Sequence, residues 1–230
     1  MTQKALFYGA GAIGRGYVAP LLQDEGYELY FVDTNAALIE TMRRQQQYTA
    51  LETGKTDYVR RTVQIRGAFL PGEEAAVVPD ADIVIIAVGA RNCLSLWPSV
   101  ARMRGCVLSC ENDRESARGL RRLAGVDNVY FAVPDVITSN RAPAAEVAAD
   151  PLAIVTETGT IVVEENSFPL PASFQKLSPA ELDMQWHCKF YLHNSPHAVT
   201  AYLGAEGGHE FIHEAMADSD VDRIVVGVLS

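Results

Sequence analysis

Two groups of residues have the types and spacing to do chemistry. The first is Gly9-Ala10-Gly11-Ala12-Ile13-Gly14, a G-x-G-x-x-G. Small residues in this pattern suit a phosphate-binding turn. Gly9 permits the tight bend, Gly11 lets the backbone approach a pyrophosphate, and Gly14 allows a helix to pack closely on a strand. Ala10 and Ile13 complete the turn, and the phosphates are expected on the free N–H groups at the positive helix end. Arg15 is expected to add a positive charge beside them. Asp33 follows Gly14 by 19 residues. A carboxylate there accepts hydrogen bonds from adenosine ribose hydroxyls and repels a 2′-phosphate. Thr34 and Asn35 follow it, not Arg, so NAD is expected over NADP. Gly89, after an apolar run, is either a further approach point for the cofactor or a plain turn glycine.

The second group is Lys189, Asn194 and His197, spaced K-x4-N-x2-H. At about 100° per helical residue, Asn194 lies about 140° and His197 about 80° from Lys189, so one side of a helix can carry all three. A metal-free alcohol dehydrogenase needs such a set, with a base for the hydroxyl proton and donors for the developing alkoxide. A solvated lysine, a capping asparagine and a core histidine would give the same letters.

These residues need elements to hold them. Lys4 to Tyr8 reads as a strand, Ile13 to Asp24 as a helix, Glu28 to Asp33 as a strand and Ala36 to Gln46 as a helix. Val59 to Leu70 reads as one or two strands. Asp82 to Val88 is a nearly continuous apolar run, the pattern of a strand buried on both faces. Cys106 to Ser109 and Val129 to Val133 repeat it in shorter form. Strand alternating with helix predicts right-handed crossovers and a doubly wound, mainly parallel α/β sheet of Rossmann type. Two β-rich pieces in Leu152 to Glu165 predict an antiparallel addition to that sheet. Ser167 to Pro179, with three prolines, reads as a linker or wrapped loop. Helical pattern runs from Ala180 onward. The expected organisation is a cofactor-binding domain over 1–175 and a short, incomplete helical segment over 176–230.

Composition narrows the function classes. The 230 residues are 48% hydrophobic and 21% charged, an ordinary globular balance. A net charge of −10 argues against a general nucleic-acid or anionic-membrane binder. No apolar run approaches the roughly 20 residues of a membrane helix. Cys93, Cys106, Cys110 and Cys188 form no C-x-x-C pair, so four reduced thiols in a cytoplasmic protein are expected.

Gly9–Gly16, Ala87-Val88-Gly89, Cys110-Glu111-Asn112 and Asn194 through Gly204 occur in the order seen in the polyol-specific long-chain dehydrogenases, and the chain resembles that family over nearly its whole length. The block from Lys189 to His197, followed by Thr200-Ala-Tyr-Leu-Gly204, is the most specific part. The resemblance implies NAD as cofactor and a polyol or polyol phosphate as substrate, with mannitol 1-phosphate and fructose 6-phosphate the expected pair. It implies Lys189 as general base, Asn112 and Asn194 as holders of the alkoxide, and His197 as an orienting group. A lysine titrates near 10.4 in a free peptide, so desolvation and a cationic nicotinamide ring must lower it for that task.

Departures from the family pattern carry their own expectations. Asp135 is present without the Arg that usually follows it. Pro196 is expected to kink or break the helix that carries the catalytic set. Family members continue further, so the apolar end from Arg223 to Ser230 is expected either to self-associate or to mark a shortened form. A non-catalytic NAD-binding homologue is the alternative in that case. His209-Glu210-Phe211-Ile212-His213 matches the zinc motif H-E-x-x-H. It follows two glycines and has no later His or Cys, so no metal site is expected. Arg114, Arg118, Arg121 and Arg122 form a basic cluster read as a solvated face, with a phosphate-binding role as the alternative.

Overall fold

Strands buried on both faces organise the first part of the chain. The computed structural model describes residues 2–54, 57–136, 138–139 and 142–228. Among the described residues twelve strands follow in order: β1 Lys4–Tyr8, β2 Glu28–Val32, β3 Gln47–Thr53, β4 Tyr58–Gln64, β5 Gly67–Phe69, β6 Ile83–Ile86, β7 Cys106–Ser109, β8 Val129–Asp135, β9 Thr138–Ser139, β10 Ile154–Thr156, β11 Thr160–Glu164 and β12 Phe174–Leu177. The larger sheet has the order β12-β11-β8-β7-β6-β1-β2-β5. From β5 to β8 all neighbours are parallel. The chain runs outward from β1 to β2 and β5, then returns to β6, β7 and β8. The direction therefore reverses between β1 and β6, which leaves a crevice beyond the strand ends.

All four residues of β6 and of β7 are buried, as are Ala5 to Tyr8 of β1. The apolar runs in the sequence have this cause. Phe7 stacks on Phe31 at 4.8 Å between ring centroids, and Phe31 meets Tyr48 edge-on at 6.3 Å. β11 pairs antiparallel with β8, as expected.

Two expectations change, and one strand is new. Gln47–Thr53 forms a strand that pairs antiparallel with β4 and parallel with β10. The first half of the β-rich segment after Leu152 thus belongs to a second, four-stranded sheet, β4-β3-β10-β9, and not to the main one. The proline-fenced stretch before Pro179 is not all loop, because Phe174–Leu177 adds a strand parallel to β11.

The chain divides into two compact units, Met1–Leu177 and Ser178–Ser230. The second begins at a capping box: Glu181 N–H donates to the Ser178 hydroxyl (3.4 Å), and Ser178 N–H donates to the Glu181 carboxylate (3.0 Å). Its helices are Pro179–Cys188, a π-wound segment Lys189–Asn194, Ser195–Glu206, Ile212–Ala217 and Ser219–Val228. Ala215, Val221 and Val225 form a small core against Val199 and Leu203. Among the described residues no helix is long and apolar enough to cross a membrane.

Candidate functional site

In the first unit, the chain leaves β1 through the glycine turn and enters a helical run, π-wound over Ala12–Val18 and α-helical over Ala19–Asp24. Gly9 has φ +95°, and a Cβ on it would lie 2.1 Å from the Ala87 carbonyl oxygen. It is wedged between β1 and the end of β6, at the reversal of the sheet. A Cβ on Gly14 would lie 2.4 Å from the Gly9 oxygen, so the helix approaches the turn as closely as the motif requires. Gly11 differs: a Cβ there meets no protein atom within 4 Å. The space over it is open. Ile13 turns its side chain onto the core, which leaves its backbone as its contribution to a site.

Asp33, just past β2, ties the turn down. Its Oδ2 accepts from Ala10 N–H (2.8 Å) and its Oδ1 from Asn35 N–H (2.9 Å). Each carboxylate oxygen has two lone pairs, so both can still accept from a ligand. A cavity of about 670 Å³ runs past Gly9, Gly11 and Asp33, with Ala87 and Val88 on the β6 side. Gly89 lies just beyond that lining. Its φ is +87°, and it heads the short helix Ala90–Cys93.

Two residues in this region escaped the sequence analysis or were misplaced by it. Arg15 does not face the open side of the turn. It is buried, with Nε donating to the Ala10 carbonyl (2.8 Å), Nη1 donating to the Leu152 carbonyl, and its guanidinium 5.4 Å from the Tyr48 ring. Arg15 therefore braces the glycine turn against the second sheet instead of adding charge for phosphates. Burial lowers its pKa. The second is Glu111, buried after β7. Its Oε1 accepts from Val88 N–H (2.7 Å) and Gly89 N–H (3.0 Å) and so fixes the loop after β6. Desolvation raises its pKa, against those two hydrogen bonds. Asn112, next in sequence, is exposed.

In the second unit Lys189 is buried, while Asn194 and His197 are half-buried. Phe190, Tyr191 and Leu192 between them are exposed. The helix does not break at Pro196. It winds as a π-helix over Lys189–Asn194 and continues as Ser195–Glu206, with Ser195 N–H donating to the Phe190 carbonyl five residues back. A π-turn, closed by i→i+5 bonds, takes more residues than an α-turn and so reduces the angle between residues five apart. Asn194 thus comes closer to the Lys189 face than the 140° of an α-helix, and His197 follows at an α-helical three-residue step.

The H-E-x-x-H segment is not carried on a single helix. Helix Ile212–Ala217 starts inside the motif, so His209 and Glu210 precede it, and His209 Nε2 lies 3.4 Å from Asp218 Oδ2. The His213 side chain lies outside the described residues. In the basic cluster, Arg118 pairs with Glu115 (2.6 Å) and Arg121 with Glu164 (3.1 Å), which accounts for both without a ligand. At the chain's end, Val221 and Val225 are buried while Ile224, Val226 and Val228 are exposed.

Strand order, glycine turn and the crevice at the sheet reversal define a Rossmann fold of the dehydrogenase type. The chain belongs to the mannitol dehydrogenase family: residues 3–173 match the mannitol dehydrogenase Rossmann domain, and residues 183–230 match the mannitol dehydrogenase C-terminal domain. Among solved structures, the fold is similar to octopine dehydrogenase in its complex with NADH and L-arginine (TM-score 0.59, 12% identity, 90% of this chain and 55% of that one). It is also similar to apo yersinopine dehydrogenase (0.57, 16%, 77% and 47%) and to a protein described as a 2-dehydropantoate 2-reductase from Enterococcus faecalis (0.54, 17%, 82% and 54%). The chain spans about half the length of these structures.

Proposed function

We propose that the protein is an NAD-dependent oxidoreductase that interconverts a polyol, or its phosphate, with the corresponding ketose. Mannitol 1-phosphate and fructose 6-phosphate are the favoured pair. The observation that carries the cofactor half is the crevice itself. Gly11 is open to a ligand, the helical run behind it offers free N–H groups, and Asp33 stands in the same cavity with acceptor capacity to spare. These residues fit a dinucleotide: the turn takes the pyrophosphate, and Asp33 takes the ribose hydroxyls. A carboxylate in that position disfavours a 2′-phosphate, hence NAD over NADP.

The chemical half rests on the family and on residue types. When bound, the nicotinamide supplies hydride acceptance and return. Lys189, buried in the second unit, takes the hydroxyl proton. Asn112 and Asn194 donate N–H groups to the oxygen as it gains charge. His197 orients Lys189 or the substrate.

The test is NADH oxidation by the purified chain with fructose 6-phosphate and fructose in parallel, alongside an NADH-binding titration. Lys189→Ala should lose about 10²–10⁴-fold in turnover, the range for a general base, with NADH binding intact. Unchanged turnover in that variant removes Lys189 from the chemistry. Binding of NADH with no turnover on either ketose would leave a dinucleotide-binding protein without the dehydrogenase reaction.

A further inference from the structure

The cavity holds a second carboxylate that the phosphate turn and Asp33 do not explain. Glu74, in the turn of helix Glu73–Ala76 after β5, is only 4% exposed yet lines the same cavity. Its Oε1 accepts from the Tyr8 hydroxyl (3.1 Å) and its Oε2 from Gly72 N–H (2.6 Å). Among the described residues no Lys or Arg lies within ion-pair distance of it. Arg102, on the same cavity, gives its Nη2 to the Ala75 carbonyl (3.1 Å). A carboxylate has about four acceptor positions, and these two bonds fill two. A charge this dry is costly unless further donors reach it.

The ligand group that meets Glu74 must therefore bring N–H or O–H donors. In a dinucleotide held as proposed above, the phosphates sit on the glycine turn and Asp33 takes the adenosine ribose. Glu74 follows β5, on the same side of the sheet reversal as Asp33 and away from β6 to β8, so of the two bases the adenine is the one beside it. Adenine carries an exocyclic amino group with two donor hydrogens at position 6. Hypoxanthine and guanine carry an acceptor oxygen there, which a carboxylate repels, and their N1–H donor lies one ring position away, so it meets Glu74 only if the base shifts from the adenine pose. We propose that Glu74 reads the 6-amino group of the adenine and makes the crevice selective for adenine over 6-oxopurine dinucleotides. The proposal rests on the dinucleotide reading and adds a base-selecting residue to it. Tyr8 and Gly72 are positioning groups that hold Glu74 with its remaining lone pairs free.

The test compares direct binding of NADH and of reduced nicotinamide hypoxanthine dinucleotide by fluorescence titration or calorimetry, with no substrate present. The hypoxanthine form should bind at least about tenfold more weakly, since it loses a charge-assisted hydrogen bond and gains a repulsion. In Glu74→Gln, whose amide can present either N–H or oxygen, the gap should close to within about threefold. Equal or tighter binding of the hypoxanthine form by the natural protein overturns the proposal, as does an unchanged gap in a folded Glu74→Gln. If that variant does not fold, the comparison on the natural protein decides. Failure of both dinucleotides to bind is a separate result, which removes the dinucleotide reading itself.

Discussion

Adding one methyl group at Gly9 and at Gly11 should have opposite consequences, although the two glycines are two residues apart in one motif. At Gly9 the backbone is in the left-handed region (φ +95°), and the new Cβ would sit 2.1 Å from the Ala87 oxygen. That atom belongs to the backbone at the end of β6, whose N–H is held by the Tyr8 carbonyl at 2.8 Å, so it cannot swing aside as a side chain would. Left-handed backbone costs a non-glycine residue about 1–3 kcal/mol, and overpacking a tight site typically costs about 1–3 kcal/mol more. Gly9→Ala should therefore destabilise the fold by about 2–6 kcal/mol and lower the melting temperature by on the order of 10 °C. Gly11 has φ −86° and nothing within 4 Å of the added carbon. Gly11→Ala should leave stability unchanged or raise it by about 0.4–1 kcal/mol through the unfolded chain. The same methyl would occupy the space a pyrophosphate needs, so NADH binding should weaken by about tenfold or more. Thermal denaturation and NADH fluorescence titration on the two variants make the comparison. A Gly11→Ala protein that binds NADH normally would falsify the assignment of this turn to phosphates. A Gly9→Ala protein of natural stability would refute the contact geometry at the sheet reversal.

Two further expectations concern titration and thiol access. Burial raises the Glu111 pKa above its ordinary 4.5, so the folded state holds this proton more tightly than the unfolded chain. Relative to Glu111→Gln, which does not titrate, the natural protein should lose stability as pH rises from about 4.5 through the raised value, then level off. Denaturant melts of both proteins across that range check the sign, and a rising difference would contradict it. Cys188 is exposed, while Cys93, Cys106 and Cys110 are buried. Burial pushes the Cys93 thiol up to about 11 and that of Cys106 up to about 12. A thiol reagent on native protein should therefore label one cysteine quickly, with Cys188→Ser abolishing that phase. Rapid labelling of two or more would show that the sheet opens.

The parallel strands were legible because burial on both faces leaves no room for polar letters. β6 and β7 show this most plainly. The glycine turn was legible for a different reason: a tight bend and a close helix approach each demand a glycine at a fixed offset, and Asp33 lies in the cavity beside it. What stayed hidden depends on partners distant in sequence. Gln47–Thr53 follows the predicted helix without an assignment of its own, and it forms a strand between β4 and β10. Arg15 beside a phosphate turn suggests a ligand contact until Tyr48 and the Leu152 carbonyl, 33 and 137 residues away, are brought to it. Glu74 belongs to no local motif and Glu111 has no role that its block of three residues reveals; only the folded sheet puts one in the crevice and the other under the loop after β6.

Pro196 shows most clearly how local physics outruns a simple period. In an α-helix its ring would clash with the Leu192 carbonyl, and its missing N–H would leave that carbonyl without a bond, so a break at this point is the straightforward expectation. The helix instead widens by one residue per bond just before the proline. Ser195 N–H reaches the Phe190 carbonyl, the Ser195 hydroxyl donates to the same oxygen at 2.9 Å, and the proline falls in the first turn of the next α-helical stretch, where no N–H is required. The consequence reaches the candidate site. Five residues separate Lys189 from Asn194, a poor spacing for one α-helical face and a good one for a π-turn. The proline that would have disrupted the Lys-Asn-His set is thus accommodated by the winding that draws Lys189 and Asn194 onto one face.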